Sequence, residues 1–107
     1  MIQPWKTAIR LPEAELAEFC RRWKITKLEV FGSIVRDDFG PDSDVDFLVT
    51  FDADVRLTLF DLVHAESELS SLIGRPIDLI EREPIEKSKN WARRRMILGS
   101  ARTVYVA

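Results

Sequence analysis

Asp44-Val45-Asp46 places two carboxylates two residues apart at the head of an alternating segment. In a strand, residues i and i+2 point to the same face, about 6–7 Å apart along the chain. Two carboxylates so placed can converge on divalent cations. A pair of such ions about 3.5–4 Å apart is the usual clamp for in-line phosphoryl chemistry. All-oxygen ligands favour Mg²⁺, with Mn²⁺ as the alternative. A solvated strand end, with Asp42, Ser43 and Asp44 forming a turn, satisfies the same residues without chemistry.

Two further features bear on the choice. Gly32-Ser33 follows a short apolar run, where glycine permits close backbone approach and serine can cap a helical turn or cradle phosphate. An ordinary strand-to-helix turn accounts for the dipeptide equally. It is not a Walker A loop, since no Gly-Lys-Ser/Thr closes a glycine-rich run. Arg36, three residues after Ser33, can share its side of a helical turn and reach phosphate, or pair with Asp37 and Asp38. Asp78 lies between Ile77 and Leu79, where a carboxylate needs an explanation. It would complete a metal cage, act as a base toward an attacking hydroxyl, or pair with Arg75.

The elements that must position these residues follow from periodicity. Pro12 opens a helix carrying Leu16, Phe19, Cys20 and Trp23 on one face. Lys27 to Phe31 is a strand, Gly40-Pro41-Asp42-Ser43 a turn, and Asp44 to Phe51 a strand with Val45, Phe47, Val49 and Phe51 on one side. Leu48 and Thr50 share the side of Asp44 and Asp46. A helix over about 57–73 buries Leu59, Leu62, Val63, Leu69 and Ile73, is capped by Gly74 and is stopped by Pro76. Ile77 to Ile80 is a third strand. Pro84 opens a last helix running through Trp91 to about Leu98, and 103–107 is extended. Strands separated by helices predict an α/β or α+β fold: a small mixed sheet with helices packed on it.

At 107 residues the chain is expected to form one domain, 1–107. Hydrophobic residues at 46% and charged residues at 32% describe a globular protein. No apolar run reaches the roughly 20 residues of a membrane span, and no secretory pattern opens the chain, so a cytoplasmic location is expected. A net charge of −2 gives no bulk attraction for nucleic acid. Cys20 reads as a buried core thiol. His64, the single histidine, reads as a satisfied or surface residue beside buried Val63, which excludes multi-histidine metal sites. Trp5, Trp23 and Trp91 read as core or interface anchors. Arg93-Arg94-Arg95 reads as a solvated face, since consecutive helical positions diverge.

Gly32-Ser33, ten intervening residues and Asp44-Val45-Asp46, with Arg36 and the Pro41-Asp42-Ser43 lead-in, resemble the signature of the DNA polymerase β-like nucleotidyltransferase superfamily. The nearest likeness is to the minimal nucleotidyltransferases of the MntA antitoxin type, over about Val30 to Ile80. Leu72 to Leu79 is similar to the family segment that carries the third carboxylate. The resemblance implies that Gly32, Ser33, Arg36 and Ser43 bind the triphosphate of ATP. It implies that Asp44 and Asp46 chelate two Mg²⁺ ions, with Asp78 as third ligand or base. Asp37 replaces a glycine frequent in the family and adds a negative charge. About thirty residues follow Asp78, so the acceptor is expected on another molecule. The resemblance implies a HEPN ribonuclease toxin, adenylylated on a tyrosine and thereby silenced. Neutralisation by binding alone, and transfer to a small molecule or an RNA end, remain open. Homo-oligomerisation is open as well.

Overall fold

In the computed structural model, residues 11–35, 40 and 43–107 are described. Arg36, Asp37, Pro41, Asp42 and Trp5 lie outside the described residues. Helix α1, Glu13–Arg22, starts directly after Pro12 and buries Leu16, Phe19 and Cys20. Burial pushes the Cys20 thiol up to about 12, as befits a core thiol without reactivity. Lys24, with a left-handed φ of 56°, turns the chain into β1, Ile25–Phe31. This strand begins two residues earlier than predicted because Ile25 is itself buried, paired with Phe51.

Strand β2, Val45–Phe51, runs antiparallel to β1. Helix α2, Leu59–Ile73, begins after Thr58, whose hydroxyl accepts from the Asp61 amide while Asp61 accepts from the Thr58 amide. That reciprocal capping box fixes the first turn. Gly74 ends α2 in the left-handed region at φ 78°. Strand β3, Ile77–Glu81, then pairs parallel with β2. Helices α3, Arg82–Glu86, and α4, Trp91–Ser100, precede β4, Arg102–Val106, which pairs antiparallel with β1. The mixed sheet has the order β3-β2-β1-β4, the α+β architecture expected.

The two faces of the sheet are covered unequally. Leu28, Val30, Val45, Phe47, Val49 and Ile77 pack against α1 and α2 in the larger core. The opposite face carries Phe31 and Leu48, covered by Ile85 of α3 and Ile97 of α4. Glu29 lies on this second face, only 4% exposed, and accepts a 2.5 Å bond from Arg82 of α3. Lys27 adds a second, longer contact at 3.8 Å. Burial disfavours the Arg82 charge, but the Glu29 carboxylate outweighs it and holds its pKa above the usual arginine value.

Two expectations fail. Leu59 and Val63 are 76% and 59% exposed, and Phe60 is 87% exposed. The buried residues of α2 are Ala65, Leu69 and Ile73, so the helix meets the core from Ala65 onward. His64 is accordingly exposed, and its ring meets the edge of Trp23 at 5.9 Å. The last helix is two helices. Pro84 sits inside α3, in its first turn, and Asn90 starts α4 by accepting the Arg93 amide through its side chain. Trp91 is exposed, which removes the core half of the core-or-interface expectation, whereas Trp23 is half-buried and donates to Glu68.

Candidate active site

Strand β1 delivers the chain to Gly32 at the edge of the second face. Gly32 adopts φ +76° and starts a 3-10 turn, Gly32–Val35, which buried Ile34 anchors in the main core. Ser33 is half-buried on that turn. A Cβ at position 32 would fall 2.5 Å from Asp46 Oδ2, so the carboxylate would have to move aside. Glycine is thus favoured by its dihedral, and any side chain at this position would push the Asp46 carboxylate out of its seat.

Register explains why that carboxylate is there. Phe31 pairs with Asp46, and Asp46 pairs with Asp78 across the parallel β2–β3 ladder. Residues paired in this way share a face on strands about 4.8 Å apart. Asp46 and Asp78 therefore project side by side at the end of the second face. Asp44 lies two residues before Asp46, exposed, immediately ahead of β2. Among the described residues no three carboxylates form a ligand cluster. The structure brings together Gly32, Asp46 and Asp78, with Asp44 at the rim.

The lead-in to Asp44 is held by contacts that sequence reasoning missed. Arg75, directly after the Gly74 cap, donates to the carbonyls of Gly40 at 2.8 Å and Ser43 at 3.0 Å. The alternative reading of Asp78, an ion pair with Arg75 or with a residue of the last helix, finds no such pair with Arg75 among the described residues, and Arg75 serves the turn. The Ser43 hydroxyl accepts from the Gly40 amide at 3.0 Å, closing that turn, and the Val45 amide donates to the Pro76 carbonyl. Ser43 thus shapes the approach to Asp44. Glu66 of α2 accepts from the Leu79 amide at 3.0 Å and secures β3 next to Asp78. Both Arg75 and Glu66 act across 13 or more residues, beyond any local pattern.

A cavity of about 250 Å³ opens beside Gly32 and Asp46, lined also by Ile80 of β3 and by Arg93, Met96 and Ser100 of α4. Two roomier depressions, about 410 and 460 Å³, contain none of the predicted site residues. Position relative to the carboxylates, not size, marks the relevant cavity. No helix among the described residues is long and apolar enough to cross a membrane.

A glycine turn at one strand end and carboxylates on the two adjacent strands define a class. The chain belongs to the nucleotidyltransferase domain family, whose model matches residues 14–104. Within it, the likeness to minimal nucleotidyltransferases of the MntA type holds. Protein adenylyltransferase MntA of Thermococcus cleftensis is 34% identical over 73 residues, which span 68% of this chain and 72% of that one. A chain in the crystal structure of a toxin–antitoxin with AMP-PNP shares the fold, with a TM-score of 0.66 at 17% identity, covering 91% of this chain and 75% of that one. So does a chain from the complex of tri-AMPylated Shewanella oneidensis HEPN toxin with MNT antitoxin, with a TM-score of 0.58 at 14% identity, covering 96% and 73%.

Proposed function

We propose that the protein transfers AMP from ATP to a tyrosine of a HEPN-type toxin and so acts as its antitoxin. The observation that carries this reading is the seat of Asp46 against the bare Cα of Gly32, in register with Asp78. It joins the family's phosphate-binding dipeptide to two of its carboxylates at one sheet end. The names of the relatives supply the acceptor: one is a protein adenylyltransferase, and another structure holds an AMPylated HEPN toxin with its antitoxin.

In the reaction the acceptor hydroxyl attacks the α-phosphorus. A new phosphorus–oxygen bond forms to the tyrosine, the α–β phosphoanhydride bond breaks and pyrophosphate leaves. Gly32 and Ser33 offer backbone amides and a hydroxyl to the triphosphate, and Arg36 adds a cation. Ser43 keeps the turn before Asp44 closed. Asp78 accepts the tyrosine proton. Asp44, just ahead of β2, and Asp46 and Asp78, paired on β2 and β3, are hard oxygen donors of the kind that suits Mg²⁺ or Mn²⁺, although the three do not form a ready cluster among the described residues. When bound, such ions neutralise charge on the phosphates and make the α-phosphorus more electrophilic.

The test is incubation with labelled ATP, Mg²⁺ and the HEPN-type protein encoded beside it, followed by mass spectrometry of both chains. The expected result is AMP on a tyrosine of the partner, abolished by Asp44→Asn and by omitting Mg²⁺. Neutralisation that survives Asp44→Asn would replace transfer by occlusion. Labelling of a small molecule or RNA end without any protein acceptor would replace the substrate.

A further inference from the structure

The cavity beside Gly32 and Asp46 carries a residue that the family signature does not include. We propose that Arg93 of α4 is a substrate-binding residue that contacts the phosphates of the nucleoside triphosphate, so that the second-face helix forms one wall of the nucleotide site. The inference rests on the nucleotidyl-transfer reading given above.

Position comes first. Arg93 shares one cavity with Gly32 and Asp46, although 47 residues of sequence separate it from Asp46. Its own backbone amide is the one held by Asn90 at 3.1 Å, which fixes where α4 begins and hence where Arg93 leaves the helix. The cavity floor beneath it is apolar, from Ile80, Met96 and buried Ile97.

The three consecutive arginines are also not equivalent. Arg94 donates to the Glu86 and Ser88 carbonyls and ties α4 to α3. Arg95 does not line the cavity. Arg93 alone among the three lines the cavity with Asp46, and among the described residues its guanidinium has no hydrogen bond or ion pair to protein. A cation held beside an acidic site, with no protein partner, suits a ligand that brings anionic oxygens of its own. The planar fork of a guanidinium matches a phosphate's paired oxygens, which an ammonium cannot do.

The experiment compares the wild type with Arg93→Gln, Arg93→Lys and Arg95→Gln, with the partner protein as acceptor. Arg93→Gln should raise the KM for ATP about 10- to 100-fold, the range for loss of a charge-assisted phosphate contact. Arg93→Lys should recover part of that loss, and Arg95→Gln should stay near wild type. Melting temperatures should not move, since Arg93 supports nothing in the protein. Calorimetry with inorganic tripolyphosphate should show the same weakening in Arg93→Gln. An unchanged KM and unchanged tripolyphosphate affinity in Arg93→Gln, with a wild type that transfers label, overturns the Arg93 role and leaves the proposed function standing. A wild type that neither transfers label nor binds the triphosphate overturns both.

Discussion

The two faces of the sheet solve different problems with the same three strands. The first face buries an unbroken apolar set from Leu28 to Ile77 under two helices, with its polar contacts, such as Trp23 to Glu68, at the periphery. The second face is apolar only along part of its length, through Phe31, Leu48, Ile85 and Ile97. It must also hold the Glu29–Arg82 pair, and it ends in Asp46 and Asp78. Stability is concentrated on one side, which leaves the other free to be charged, open and shaped for a ligand. The difference teaches that the acidic site is tolerated because the opposite face does not depend on it.

The sharpest way to break this division is on the first face. Phe47→Ala, at a position fully buried in the main core, should cost about 3–5 kcal/mol in denaturant unfolding. On the second face the expected damage is to rate. Gly32→Ala should lower label transfer at least about 100-fold by displacing Asp46, the penalty typical of a misplaced reacting group. Its stability cost should be smaller, about 1–2 kcal/mol for a non-glycine residue at positive φ. Comparable losses of stability from Phe47→Ala and Gly32→Ala would undo the comparison.

Arg82→Met leaves the Glu29 carboxylate buried without its partner. It should cost about 1–3 kcal/mol, and Glu29→Gln in the same chain should restore part of it. Glu68 supplies a smaller effect, on the first-face side. Partial burial disfavours its charge, but the Trp23 indole and the Arg22 guanidinium outweigh that and hold its pKa below the ordinary 4.5. A carboxyl lowered in the folded state stabilises fully above the unfolded value and loses that contribution as pH falls through the folded one. Thermal unfolding followed from about pH 5 to about pH 3 should therefore fall more steeply for wild type than for Glu68→Gln. Least of all, Phe60→Ser, on the exposed start of α2, should change stability by no more than about 0.5 kcal/mol.

What could be read in the sequence was local. Val45 and Asp46 open a strand, with Asp44 just ahead of it, because the alternation from Val45 to Phe51 admits no other period, and Gly74 ends α2 because its left-handed conformation follows a long apolar helix. Both depend on neighbours within a few residues. The exposure of Leu59 and Val63 depends on where α2 meets the sheet, which no periodicity records. The break at Asn90 turned on a side chain competing for a helix start, while Pro84 one helix earlier looked like the stronger signal. The tether from Arg75 to Gly40 and Ser43, and the burial of Glu29 by Arg82 from 53 residues away, are products of topology. The site was legible as a set of residue types, with its carboxylates on two predicted strands. Only the register β1-β2-β3 says that Gly32, Asp46 and Asp78 are neighbours.

The contact between position 32 and Asp46 has a genetic consequence. Because a methyl group at 32 would occupy the space of the Asp46 carboxylate, shortening position 46 relieves that contact in a Gly32→Ala strain, although the backbone cost of the positive φ remains. That suppressor removes the carboxylate it makes room for. Selection for protein level and selection for toxin immunity should therefore recover different second-site changes, and a lineage that loses one of these two residues has little reason to keep the other.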